Sequence, residues 1–265
     1  MTSEISTSFS IIREEHGFDR SKLPDSTPRI VITDQDLEDL FNIALQNWNI
    51  NFDREFFLEK LAEYLTSKPK ARRQNQELRK YLKDVRKAGH ALSSAHHFCK
   101  QNPDLPKAFA YFLRYLGKAN DAYEMEKGNK FAKRVEAILE NEELNFSEFD
   151  GGTVQEYEER IEFFINRARE LLSKKRLPIP DYHRLRKDLR HFMNLYQIAA
   201  ARNPTNLSLI QIFQYLQDLN SDLGHIHDEY VILSLENKID YESGELKIPK
   251  NLRRRLENFY EFLED

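Results

Sequence analysis

A single cysteine among 265 residues leaves no internal disulfide framework and no cysteine-clustered zinc or iron–sulfur centre. Cys99 is read as a small buried hydrophobe, and a reducing cytoplasm suits it. Glycine is also scarce, at 8 residues, and neither G-x-G-x-x-G nor G-x-x-x-x-G-K-[ST] occurs. That excludes the nucleotide-binding α/β folds, which need glycine to bring backbone N–H groups onto phosphates. No apolar run approaches the ~20 residues of a membrane-spanning helix, and Met1-Thr2-Ser3-Glu4 lacks the basic and apolar regions of a secretory leader. A membrane partner is not expected, and no cofactor or metal is implied.

What the chain does contain is charge, in blocks. Residues 1–66 carry 6 Lys/Arg against 13 Asp/Glu, residues 67–135 carry 17 against 6, residues 136–162 carry 1 against 10, and residues 163–265 carry 16 against 15. The formal net charge of −4 hides this segregation. Within the last block the stretch Lys174 to Arg190 is strongly basic, and Arg253-Arg254-Arg255 adds a further cluster. Basic patches alternating with acidic stretches point to a polyanion partner for part of the surface.

Apolar spacing reads as helix almost throughout. Leu82, Val85, Leu92 and Ala95, and likewise Leu185, Leu189, Phe192, Tyr196 and Ala199, recur at helical intervals and predict two long amphipathic helices. Further helices are predicted over 35–49, 53–67, 106–127, 129–142, 153–175, 206–235 and 250–263, with Asp34 and Asp53 as caps and Pro103, Pro178, Pro204 and Pro249 as stops. Only Arg29-Ile30-Val31-Ile32 and the stretch from Tyr241 to Ile248 have strand character, and neither could build a sheet. The Ser/Thr/Pro-rich residues 1–33 read as an N-terminal extension, either a poorly ordered tail or a docking arm.

The chain repeats itself. Lys83-Asp84-Val85-Arg86-Lys87-Ala88-Gly89-His90 aligns with His183-Arg184-Leu185-Arg186-Lys187-Asp188-Leu189-Arg190, and each helix runs on to an Asn-Pro pair, Asn102-Pro103 or Asn203-Pro204. Downstream, Leu116-Gly117-x-x-x-Asp121-x-Tyr123 matches Leu223-Gly224-x-x-x-Asp228-x-Tyr230. Collinear matches of this kind predict a duplication, hence an all-α protein of two tandem helical bundles, 34–145 and 146–265, joined near 141–152. His183, Arg186 and Arg190 at i, i+3 and i+7 form one stripe, mirrored by Lys83, Arg86 and His90, with Lys87 and Lys187 beside them. The rows are expected to face each other across the joint. The downstream glycines would allow close helix approach, and Asp121 and Asp228 would orient guanidinium groups through bidentate pairs.

His183-x-x-Arg186-x-x-x-Arg190 followed by Leu223-Gly224-x-x-His227-Asp228 resembles the second half of a CHAD domain, the conserved histidine α-helical domain. The resemblance covers roughly residues 35–265. It implies two four-helix bundles related by a pseudo-twofold axis and inorganic polyphosphate bound in a basic groove between the halves. The first half departs from the pattern at Lys83, where the family has histidine, and at His90, where it has arginine.

The expected function is therefore non-catalytic polyanion binding by Lys83, Arg86, Lys87, His90, His183, Arg186, Lys187 and Arg190. Nucleic acid is a weaker version of the same partner, since any basic groove attracts a phosphate backbone. A helical scaffold for protein partners is one alternative, docked through the acidic segment 136–162. The other is an HD-type metal-dependent phosphohydrolase built on His225, His227 and Asp228. Against it, His225 and His227 lie about 200° apart on a helix and cannot share an ion, and the first-half copy lacks both histidines. His227 is accordingly read as incidental.

Overall fold

The computed structural model describes residues 12, 17, 19–25, 28, 30, 31, 33–121, 127–142, 144, 146, 150–236 and 238–264. They are predominantly helical and divide into two compact units, Leu37–Gly152 and Thr153–Asp265, the latter taking in the stretch Thr7–Asp36. The break falls at Gly152/Thr153.

The first unit contains α1 (Asp34–Asn51, whose first turn belongs to the other unit), α2 (Arg54–Thr66), α3 (Pro69–Gln74), α4 (Gln76–Cys99), α5 (Lys107–Asp121) and α6 (Lys127–Asn141). Asp53 caps α2 by accepting from the Phe56 N–H at 2.8 Å, and Asn75 caps α4 by accepting from Leu78 at 2.9 Å. Asp34 is not a cap. It is the first helical residue of α1 and its carboxylate accepts from the Val154 N–H at 2.8 Å, while Asp36 receives the Thr33 N–H. The core of this unit is aromatic: Trp48 stacks on Phe52 at 4.4 Å and meets Phe109 edge-on at 5.3 Å, and Phe112 packs against both Phe52 and Phe57. Leu82, Val85, Leu92 and Ala95 of α4 are all buried. His96 is buried and His97 half-buried, as adjacent positions on a helix dictate, and Cys99 is fully buried.

The second unit contains α7 (Val154–Ser173), α8 (Ile179–Arg202), α9 (Leu207–Leu235) and α10 (Lys250–Phe262). Thr153 and Glu156 form a reciprocal capping box at the start of α7, and Asn206 caps α9. Leu185, Leu189, Phe192, Tyr196 and Ala199 are buried along α8, each of the larger ones removing enough apolar surface from water to contribute about 1.5–3 kcal/mol. Phe192 meets both Phe259 and Tyr260 of α10 edge-on.

Strand structure among the described residues is one short antiparallel ladder, β1 (Leu177–Pro178) with β2 (Glu245–Leu246), extended by an Ile179 N–H to Gly244 carbonyl bond of 2.9 Å. The strand character around Ser243-Gly244 thus becomes a clip at the base of α8. Ile30 and Val31 are in no strand, and Arg29 and Ile32 lie outside the described residues. Most of residues 1–33 also lie outside them. Among those described, Arg20 and Lys22 offer their carbonyls to Arg255 and Gln211 of the second unit.

Candidate functional site

The two basic stripes sit on α4 and α8. Lys83, Arg86, Lys87 and His90 lie on α4, and His183, Arg186, Lys187 and Arg190 lie on α8. The burial patterns of residues 81–90 and 181–190 differ only at the third and fourth positions. Lys83, Lys87 and Lys187 are exposed, whereas Arg86, His90, His183, Arg186 and Arg190 are half-buried. Lys87 stands 3.8 Å from Asp84 one turn away.

Each central arginine lies over a glycine of the next long helix. A Cβ added at Gly224 on α9 would come within 2.6 Å of Arg186 Nη2 and 3.1 Å of its Cζ. A Cβ at Gly117 on α5 would come within 3.1 Å of Arg86 Nη2 and 3.3 Å of its Cζ. The glycines therefore serve close approach of a side chain, not only of helix backbones. The same arginine-on-glycine packing occurs once in each unit, with Arg86 and Arg186 at matching positions of the sequence repeat. Each helix pair is also tied by a hydrogen bond to a backbone carbonyl: Tyr182 Oη donates to Leu223 at 2.9 Å, and Asn120 Nδ2 donates to Leu82 at 3.4 Å.

Asp228 does not clamp Arg186 as expected. Asp228 is largely exposed and contacts its neighbour His227, with Oδ1 3.4 Å from Nδ1. One step along the helix from His227, it is turned outward, away from the face that meets α8. The side chain of Asp121 lies outside the described residues. The bidentate pair in this region is a different one: Arg167 Nε and Nη2 of α7 grip Asp188 at 2.8 and 2.6 Å. Arg186 has no ion pair or hydrogen bond to any described residue, and its Nε is shielded from solvent.

Around Arg186 the second unit assembles groups that spacing did not reveal. His183 stacks on His227 with centroids 4.7 Å apart and planes 27° from parallel. His227 Nε2 lies 2.9 Å from the Tyr241 hydroxyl. Burial pushes the His183 imidazole down to about 4, and the positive charges of Lys187, His227, Arg186 and Arg190 add to the shift. His227 is lowered as well, chiefly by burial, with Asp228 opposing and Arg186 and Arg190 reinforcing. Burial raises the phenols of Tyr182 and Tyr241, which stay protonated donors. His227 is thus not incidental. The available signal was its place three residues after Gly224, on the same helix face; Tyr241, beyond the end of α9, left no spacing to detect.

The basic cluster Arg253-Arg254-Arg255 is largely spent inside the fold. Arg253 donates to the carbonyls of Leu172 and Lys174, closing the end of α7, and Arg255 pairs with Asp218 at 2.9 Å and Asp222 at 3.1 Å. Arg54 similarly donates to the Leu139 carbonyl near the end of α6. No group of three histidine, cysteine or carboxylate side chains converges on one point among the described residues. His225 is exposed and His227 buried, so the doublet is split between opposite sides of α9.

Comparison of the chain with protein-family models, curated proteins and solved structures finds no match.

Proposed function

We propose that the chain is a non-catalytic, cytoplasmic binding protein for a linear polyanion, inorganic polyphosphate above all, built as a duplicated pair of helical bundles. The observation that carries this reading is Arg186: a half-buried guanidinium seated on Gly224, with no counter-charge among the described residues, beside an imidazole that burial and nearby positive charge hold neutral. An uncompensated cation in such a place costs stability, and an arriving anion removes that cost. Arg186, Arg190 and Arg86 would offer paired N–H groups to phosphate oxygens. Lys83, Lys87 and Lys187 would add mobile point charges, with His90 and His183 alongside. Such a set tolerates a repeating anion and reads no base sequence, so RNA ranks below polyphosphate as a ligand. The resemblance of the His183-x-x-Arg186-x-x-x-Arg190 stripe to CHAD domains points the same way.

One observation favours a scaffold for protein partners instead: Arg253, Arg255, Arg202 and Arg167 are engaged by internal carboxylates and carbonyls. A double charge reversal, Arg186→Glu with Arg190→Glu, separates the readings when long-chain polyphosphate is titrated in at two salt concentrations. Polyanion binding predicts that the wild type weakens about tenfold or more between about 50 and 200 mM salt, and that the variant loses binding while its melting temperature stays close to wild type. The scaffold reading predicts no salt-sensitive binding and a destabilised variant.

A further inference from the structure

We propose that the stacked His183–His227 pair makes the anion site of the second unit proton-coupled, so that the anion enters together with one proton shared by the two imidazoles. This inference rests on the polyanion reading above and adds to it how the site is regulated.

The geometry sets the terms. Two nearly parallel rings with centroids 4.7 Å apart cannot both carry charge without strong repulsion, so the pair takes up protons as one unit and holds at most one across the ordinary pH range. The Nδ1 atom of His183 is shielded from solvent and has no hydrogen-bond partner. An imidazolium donates from both nitrogens, and an unmet buried donor is costly, so the ring stays neutral in the free protein. His227 is placed differently: Nε2 meets the Tyr241 hydroxyl at 2.9 Å and Nδ1 faces Asp228 at 3.4 Å. A proton at His227 therefore finds oxygen on both sides. What holds it off is burial and positive charge.

The groups around the pair come from three elements. From α8 come Arg186, Lys187 and Arg190; from α9 comes Asp228, with Asp222 and Tyr230 acting on the neighbouring Tyr182; from the segment leading to β2 comes Tyr241. Asp222 is engaged by Arg255 at 3.1 Å, and Tyr182 and Tyr241 remain phenols. Among the described residues, Asp228 is the carboxylate that acts on His227, opposed by Arg186 and Arg190. An anion on Arg186 and Arg190 offsets that field and raises the proton affinity of both rings. The complex consequently binds more protons than the free protein. Affinity rises as pH falls through the pKa of the bound pair, and levels off where the free pair also titrates. In the first unit Lys83 and Asn120 stand where the second has His183 and His227, so the coupling belongs to the second unit alone.

Calorimetric titration of the full chain with long-chain polyphosphate tests this, because its interior units stay ionised across the range and the protons exchanged belong to the protein. Measured near pH 6 in two buffers of different ionisation enthalpy, binding is expected to take up close to one proton, and the dissociation constant to tighten by up to about tenfold per pH unit on acidification from about pH 7. A His183→Gln, His227→Gln double variant loses the uptake and the tightening, while His225→Gln, on the exposed side of α9, keeps both. Equal heats in the two buffers with binding intact overturn the coupling and leave the polyanion reading standing. Uptake that survives in the double variant also overturns it, by placing the proton elsewhere. Absence of binding at every pH overturns both. The buffer comparison on the wild type needs no variant, so the test stands even if the double variant does not fold.

Discussion

At Gly224 one hydrogen decides where a guanidinium can lie. Alanine there would set its Cβ 2.6 Å from Arg186 Nη2, and the flexible end of the arginine would swing away. Alanine in a helix interior is favoured over glycine by about 1 kcal/mol, which offsets the rearrangement. Gly224→Ala is therefore expected to melt within a few degrees of wild type yet bind polyphosphate several-fold more weakly, as read by thermal denaturation and titration on one preparation. Unchanged affinity would show that the position of Arg186 is irrelevant. Gly152 provides the contrast, since a Cβ there would lie 1.9 Å from the Cys99 carbonyl oxygen, a backbone atom that cannot swing aside. Gly152→Ala should cost about 2 kcal/mol or more. The sequence repeat makes Gly117 and Gly224 legible as close-approach positions, although what approaches is a side chain. Gly152 reads only as part of a joint, because nothing in its neighbours signals that the end of α4 comes so near.

At the scale of helices, the buried link between α7 and α8 is the Arg167–Asp188 pair. Asp188 falls within the basic stretch from Lys174 to Arg190, and it lies on the inward face of α8, buried between Lys187 and Leu189 in the chain. Burial raises its carboxyl above the ordinary range even though Arg167 pulls the other way. Arg167→Met leaves that carboxylate unpaired and should destabilise the second unit by about 3 kcal/mol at neutral pH. A raised acid pKa favours the folded state as pH falls towards the unfolded value, so the deficit should shrink at about pH 5. Urea unfolding at the two pH values measures this; an equal deficit at both would show that the carboxylate is not the origin. Helix positions are readable because apolar spacing and a cap such as Asp53 are local, although Asp34 lies inside its helix and Asn75, Thr153 and Asn206 emerge as caps from the structure alone. Ion-pair partners are not, since Arg167 and Asp188 are 21 residues apart and only the packing of two helices chooses which charges meet.

Across the whole molecule, segregated charge and a depressed histidine pair act on stability together. A net charge of −4 leaves no reason to expect a polyanion ligand. The sorting of cations supplies that reason: Arg253 and Arg255 are consumed by the fold, while Arg186 has no counter-ion among the described residues. Sequence shows where cations are dense but not which of them the fold has already neutralised, and for that reason the third basic cluster dropped out of the site. The burial of His183 beside the α8 cations has a pH signature. The folded His183 titrates at about 4 against 6.5 for the free side chain. Its neutral form is the one that folds, so stability is full above the unfolded value and declines as pH falls from about 6.5 towards about 4. Discounted for its partial exposure, that shift corresponds to about 2 kcal/mol. His227 is displaced in the same direction and adds to the loss, while Asp188 works in the opposite sense and only at the acid end. Urea unfolding should therefore show the wild type weakening steadily between pH 7 and pH 5, and a His183→Gln variant should show a flatter profile over the same interval. Long-chain polyphosphate present throughout should flatten the wild-type profile too, because a bound anion supplies the charge that lets the imidazole protonate in place. If the wild-type profile is already flat without polyphosphate, neither burial nor the cations of α8 hold His183 neutral, and the electrostatic basis assigned to this site fails.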